Sequence, residues 1–169
     1  TNFQGSLSAN GQVWILNPSG VLFGASSKVD VAGLLVTTHN ITDSNFMSGN
    51  YHFTFDPNSL NSKIINNGLI SAKDSGIVGL VAPWVENNGV ITAHLGKVSL
   101  SSGTAFVLDM YGDSLINFGS NAPLQNSYIS NSGVITADGG KVHMTANSAA
   151  GILDNIISMS GTVQAKSVG

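Results

Sequence analysis

The sequence predicts an all-β protein, a parallel β-helix with one or two hairpins outside the coil. Three observations predict the coil. Short segments alternate apolar and polar residues with period two, the signature of a strand with one buried face. The segments recur as near-copies, "NNGLISAKDSGIVGLVA" from Asn66, "NNGVITAHLGKVSLSSG" from Asn87 and "NSGVITADGGKVHMTAN" from Asn131, with a partial copy "SGTVQAKS" from Ser160. Gly68 and Gly89 stand 21 residues apart, and Gly89 and Gly133 stand 44 apart, close to two periods. A unit of that length is too short for a propeller blade, and it lacks both the leucine-rich rhythm and the calcium β-roll signature. It fits one rung of a coil in which equivalent strands stack at about 4.8 Å.

Each copy is read outward from its corner glycine: Gly68, Gly89, Gly133 and Gly161, with Gly20 of "SGVLFGASSKVDVAG" placed in the same register. Two residues on stand Leu22, Ile70, Ile91, Ile135 and Val163, and four residues on stand Gly24, Ala72, Ala93, Ala137 and Ala165. These become internal ladders, Ile on Ile and Ala on Ala. The residues between, among them Ser71, Thr92 and Thr136, face out. Further on, Lys28, Lys97 and Lys141 each precede a second alternation, Val29/Val31, Val98/Leu100 and Val142/Met144, with Val78/Leu80 slipped by one. Each buried Ile, Leu or Val contributes about 1.5–3 kcal/mol, and a single rung is unstable without its neighbours.

Two segments break the period. Residues 38–62 are read as an excursion outside the coil, a hairpin or small sheet with "YHFTF" as a strand and "MSGN" as a turn. Residues 105–127 hold two apolar runs about Tyr111-Gly112-Asp113, read as an irregular rung or a second hairpin. No helix has a convincing start and stop signal; "SAAGILDNII" at 148–157 leaves a helical turn open. The whole of 1–169 is read as one domain.

Composition narrows the function. Charged residues are only 9%, all six cations are Lys, and the formal net charge is −3. That balance excludes an electrostatic nucleic-acid footprint, and the missing Arg removes bidentate phosphate recognition. There is no Cys, so no disulfide framework and no thiolate chemistry. No apolar run approaches the roughly 18 residues of a membrane-spanning helix. Thr1 is not an initiator Met, which reads as a fragment or processed piece.

Some parallel β-helices cleave polysaccharides, so a catalytic cluster is the alternative to weigh. The nine carboxylates are scattered; Asp74 and Asp138 fall near one rung corner, but the intervening copy has His94 or Leu95 there. They read as solvated turn carboxylates. His39, His52, His94 and His143 lack metal-ligand spacing, and no nucleophile elbow appears. "NIT" at Asn40 is a glycosylation sequon and is given little weight. Trp14 and Trp84 read as packing residues rather than a sugar platform; Trp14 faces away from Val13 and Ile15 and covers the outside of the coil, under the 38–62 excursion. The expectation is no catalytic residue, no metal and no cofactor.

Asn17-Pro18-Ser19-Gly20 matches a type I turn: Asn at the first position, Pro fixing φ at the second, Gly at the fourth. It is read as the same corner as the later "NNG" turns, stiffened by proline. The stretch "SLSANGQVWILNPSGVLFGASSKVDVAGLLVTT" resembles the haemagglutination-activity domain of filamentous-haemagglutinin-type exoproteins of two-partner secretion. The family's Asn-Pro-Asn-Gly motif is matched at Asn17, Pro18 and Gly20, and Ser19 departs from the usual Asn. The resemblance continues through "GLVAPWVENNGVITAHLGKVSLSSG" and "ISNSGVITADGGKVHMTANSA", nearly the whole chain. It implies the right-handed coil and a non-enzymatic domain of a secreted or cell-surface adhesin from a Gram-negative bacterium. It implies recognition by an outer-membrane transporter of the Omp85 class, and a host-cell or glycan receptor engaged through the rest of the exoprotein. The family domain extends further N-terminally, which would put Thr1 mid-domain. The other readings are a polysaccharide-binding or polysaccharide-cleaving β-helix and a purely structural adhesin shaft.

Overall fold

The computed structural model describes residues 1–109, 115–118, 124, 126–147 and 157–167. The chain winds as a parallel β-helix with three faces. The first sheet stacks strands Asn2–Phe3, Val21–Phe23, Lys63–Asn66, Trp84–Asn87, Tyr128–Asn131 and Ile157–Met159. The second stacks Ser6–Ser8, Lys28–Val31, Leu69–Ala72, Val90–Ala93, Val134–Thr136 and Thr162–Gln164. The third stacks Gln12–Leu16, Gly33–Thr37, Ile77–Val81, Lys97–Ser102 and Lys141–Ala146. Every pairing within these sheets is parallel, so each turn of chain adds one strand to each face.

The alternation in sequence becomes inside and outside. Ile70 pairs with Ile91 and Ile91 with Ile135, all three sealed from solvent. Ala72 pairs with Ala93 beside them, and Val78, Val98 and Val142 align on the third face. Val163 continues the isoleucine ladder but is 38% exposed, since it lies in the last described rung. One core cluster runs the length of the coil, from Val21 and Phe23 to Ile129 and Ile135.

The Gly20 copy belongs to a different face from the one its alternation suggests. Leu22 pairs with Ile65 on the first sheet, and it is Val29 that stacks on Ile70 and Val31 on Ala72. Lys28 accordingly pairs with Leu69, whereas Lys97 and Lys141 pair with each other. The cause is that every corner of a three-faced coil places a small-residue turn before an alternating strand, so one corner imitates another.

The two period-breaking segments meet outside the third sheet. Strand His52–Thr54 pairs antiparallel with Ala105–Leu108, which pairs antiparallel with Ile116–Phe118. Strands Ala105–Leu108 and Ile116–Phe118 thus pair as a hairpin does, whereas His52–Thr54 takes its strand partner from the other segment and, within its own, makes an antiparallel bridge from Thr54 to Asn40. A short helix, Asp43–Met47, also forms, contrary to the reading of the sequence; the Thr42 hydroxyl caps it by accepting from the Asn45 amide at 3.2 Å. The "SAAGILDNII" segment lies outside the described residues, save Ile157 in the first sheet.

A second core forms beneath this lateral sheet from Leu35, Phe53, Ile77, Val81, Phe106, Leu108, Leu115 and Ile116. The Phe53 and Phe106 rings stack with centroids 4.6 Å apart. Trp14 lies at its edge against Phe46 (5.5 Å), Tyr51 (4.9 Å) and Phe53 (5.9 Å), under the 38–62 segment as the alternation of Val13, Trp14 and Ile15 requires.

Candidate functional site: the corner at Asn17–Gly20

Asn17-Pro18-Ser19-Gly20 joins the third sheet to the first, between strands Gln12–Leu16 and Val21–Phe23. It is therefore a different corner from that of Gly68, Gly89, Gly133 and Gly161, which stand between the first and second sheets. Both lateral segments leave the coil at the Asn17 corner position, one and three rungs further along.

The turn is closed by the Gly20 amide donating to the Asn17 carbonyl at 2.9 Å. The Asn17 carboxamide oxygen accepts from the Ser19 amide at 3.0 Å, and its nitrogen donates to the Thr1 hydroxyl at 2.6 Å. The Asn17 amide donates to the Thr37 carbonyl of the next rung at 3.0 Å, and the Ser62 hydroxyl donates to the Pro18 carbonyl. Gly20 has φ +87°, and a Cβ there would overlap the Lys63 carbonyl. Glycine is required twice over, by the left-handed backbone and by the approach of the next strand. Outside the turn an open cleft is lined by Ser19, Leu22, Asn58, Asn61, Lys63 and Ile65. It offers hydroxyl, carboxamide and ammonium groups, the chemistry of hydrogen-bonded recognition.

The glycine corners have another logic. A Cβ on Gly89 would fall on the Gly68 carbonyl, one on Gly133 on the Gly89 carbonyl, and one on Gly161 on the Gly133 carbonyl. Backbone stacks on backbone there. Two residues before three of these glycines stands a residue that periodicity alone does not single out: Asn66, Asn87 and Asn131 are fully buried. Asn66 donates its carboxamide proton to Asn87 at 2.8 Å, and Asn87 to Asn131 at 2.7 Å, a hydrogen-bonded ladder inside the coil. The signal in the sequence is Asn two residues ahead of Gly in three copies.

The titratable groups of the described residues lie mostly at separate corners of the coil. Among the described residues, no three His, Cys, Asp or Glu converge as metal ligands. Asp74 and His94 do meet at a corner, 3.6 Å apart and well exposed. Asp138 lies at the same corner in a later rung. The Lys166 backbone amide, donating at 3.0 Å, holds its carboxyl below the usual range. Trp84 has Lys63 over its ring at 4.0 Å and Tyr128 at 4.2 Å on neighbouring rungs, so neighbours take the ring contacts that a sugar platform needs. His143 is half-buried on the third sheet, paired with Ser99.

His39 is the group that sequence reasoning undervalues. It is fully buried, between Phe55 and Phe106 (centroids 5.8 and 5.3 Å). Its Nε2 donates to the Gly103 carbonyl at 2.8 Å, which leaves Nδ1 to accept from the Thr37 hydroxyl at 3.3 Å. Burial pushes its pKa down to about 4. It ties together the points at which the two lateral segments leave the coil, a structural role that no spacing in the sequence announces.

Comparison with known proteins assigns this architecture. The family model of the TPS secretion domain matches residues 1–169. The crystal structure of the HMW1 secretion domain from Haemophilus influenzae superposes with a TM-score of 0.79 at 28% identity, covering 97% of this chain and 41% of that one. A heme/hemopexin-binding protein of Haemophilus influenzae is 36% identical over 123 residues, 68% of this chain and 13% of the relative. A second heme/hemopexin-binding protein from that species is 41% identical over 54 residues, 32% of this chain and 6% of its own length. This chain thus spans a small part of the curated relatives it matches. With the family model spanning every residue and the coil shared with a solved secretion domain, the chain belongs to the TPS secretion domain family, the secretion domain of exported two-partner secretion exoproteins.

Proposed function

We propose that this domain is the part of a large Gram-negative exoprotein, an adhesin or haemagglutinin, that its dedicated outer-membrane transporter of the Omp85 class recognises during export. The domain itself works without catalysis. Contact with a host-cell or glycan receptor belongs to the rest of the exoprotein, and the secreted or surface-held form is the working one. The family match over the whole chain carries this reading. The Asn17–Gly20 corner with its polar cleft is the region we assign to export, and its first contribution is structural: it clamps two consecutive rungs to each other, and a rung is stable only with its neighbours.

Asn17→Ala tests it. Asn17 makes two side-chain hydrogen bonds, each worth about 0.5–1.5 kcal/mol net, so the variant loses about 1–3 kcal/mol. Secreted yield in the presence of the cognate transporter should fall in step with that loss, as read from thermal unfolding of the refolded variant. Collapse of secretion with an unchanged melting curve would instead mean that the transporter reads the corner directly. Normal yield with normal stability would remove the corner from both roles, and normal yield without any transporter would defeat the recognition proposal.

A further inference from the structure

On the inner side of the first sheet, Ile64, Val85 and Ile129 stack on one another, and Asn66, Asn87 and Asn131 stack two residues further along. A slip of one residue between rungs would turn every inward side chain to solvent, so the alternation forbids it. A slip of two residues keeps the alternation. Slid by two against strand Lys63–Asn66, strand Trp84–Asn87 would still point Val85 and Asn87 inward, with Asn87 over Ile64 and Glu86 over Lys63. Apolar alternation therefore leaves both registers open, and the carboxamides distinguish them.

In the native register the ladder is closed at both ends. The Asn66 carboxamide donates to Asn87 at 2.8 Å and that of Asn87 to Asn131 at 2.7 Å. The Asn66 oxygen accepts from the Gly68 amide at 3.1 Å, and the Asn131 nitrogen faces the Gly133 and Thr162 carbonyls, each at 3.4 Å. Phe23 and Met159 hold the same position in the rungs on either side, so the ladder ends where carboxamide partners end. With Asn87 over Ile64, the Asn66 nitrogen and the Asn87 oxygen would lose each other in an interior that solvent does not reach.

We infer that the Asn66–Asn87–Asn131 ladder is a register lock, which selects one of the two stackings that apolar alternation permits and contributes specificity rather than stability. A buried carboxamide that finds its partner in one arrangement alone excludes the others, as a single buried Asn does in a coiled coil. Such a lock has a characteristic energetics. Removing one member orphans its neighbours, whereas removing all of them leaves few buried groups unpaired. Asn87→Leu strands the Asn66 nitrogen and the Asn131 oxygen together. Leucine at all three positions strands the Gly68 amide alone.

The test has two readouts. In denaturant titration, Asn87→Leu should lower the folded-to-unfolded ratio by at least about thirtyfold. The triple variant Asn66→Leu/Asn87→Leu/Asn131→Leu should be at least as stable as that single variant, despite two more substitutions. Register is read by introduced cysteines, which report cleanly because the chain has none of its own. Ile65 and Glu86 are direct partners on the outer side of the first sheet, so Ile65→Cys/Glu86→Cys places two Cα atoms about 5 Å apart, within disulfide reach. Lys63→Cys/Glu86→Cys is two residues out of register, about 8 Å apart and beyond reach, and the pair meets only in the slipped stacking. Each pair is refolded from urea with oxidised glutathione, and peptide mass spectrometry scores the bridge. With the ladder intact only the first pair should close; in the triple leucine background the second should close as well. A second pair that stays open in that background, or a triple variant less stable than Asn87→Leu, would overturn the inference.

Discussion

Ile91 and Phe106 are both sealed from solvent, yet they are held by different kinds of neighbour. Ile91 sits between Ile70 and Ile135, copies of itself one rung away on either side. Phe106 stacks on Phe53, which belongs to a distant segment with no repeat at all. The coil is built by adding the same small unit, so its stability is a sum of nearest-neighbour terms. The lateral sheet is built once, from two unrelated segments that leave the coil two rungs apart. Its central strand, Ala105–Leu108, is paired on both sides, and the His39 imidazole sits where the two segments leave the coil.

The largest effect should follow from breaking the coil at its middle. Ile91→Ala removes buried methyl groups between two fixed neighbours, which costs about 2–5 kcal/mol. Thr92→Ala, one residue on and facing outward, should change stability by no more than about 0.5 kcal/mol. Denaturant titration of both variants checks this, and comparable losses would contradict the inside–outside alternation.

The contrast between Ile91 and Thr92 is legible in the amino-acid sequence, because the coil writes its contacts there. Ile70, Ile91 and Ile135 stack on like residues, so aligning copies amounts to aligning rungs. The same property misplaces Gly20. "SGVLFG" alternates as the "NNG" copies do, and alternation reports which side a residue faces but not which of three faces it lies on. Only pairing, Leu22 with Ile65, resolves that. The lateral sheet is legible as an interruption and not as an architecture. Nothing local in "YHFTF" says that its partner is Ala105–Leu108, and antiparallel pairing across the coil is decided by tertiary burial of Phe53 and Phe106. His39 escapes notice for the same reason, since its partners Gly103, Phe55 and Phe106 come from both segments. At the candidate site the turn residues are legible from turn chemistry, whereas the clamp from Ser62 and Thr37 depends on how the rungs stack.

A second prediction separates the lateral sheet from the coil by pH. His39 has a folded pKa of about 4 against an ordinary value near 6.5, because burial penalises the imidazolium. The unfolded chain therefore binds the proton more readily. Stability from keeping His39 neutral is present in full above about pH 6.5, declines as pH falls, and is lost by about pH 4, a total on the order of 3 kcal/mol. No neighbouring charge offsets the burial; the ring faces Thr37, Gly103, Phe55 and Phe106. Hydrogen exchange across that range should show amide protection falling first in His52–Thr54 and Ala105–Leu108, with the Ile91 ladder retained. In His39→Gln, which keeps a donor for Gly103 and cannot titrate, the pH dependence in this window should flatten. An unchanged slope would mean that other groups set it.

The smallest of the three effects compares two glycines in the same coil, and it turns on what each one touches. Gly89 carries its backbone against the Gly68 carbonyl, and Gly133 stacks on Gly89 in turn, so a methyl group has nowhere to go without moving a rung. The neighbour is backbone, which cannot rotate away as a side chain does. Gly89→Ala should therefore cost about 1–3 kcal/mol, the usual range for overpacking a filled site. Against that stands the small gain that alanine brings by restricting the unfolded chain, about 0.4–1 kcal/mol where the native backbone tolerates it. Gly11 has open space where its Cβ would be, so Gly11→Ala should be neutral or slightly stabilising. The pair isolates stacking from backbone freedom, because both positions lie in corners and both exchange the same atoms. Thermal unfolding of the two variants side by side gives the answer. A Gly89→Ala domain as stable as Gly11→Ala would show that the corner relaxes, and that glycine recurs there for a reason other than contact between rungs.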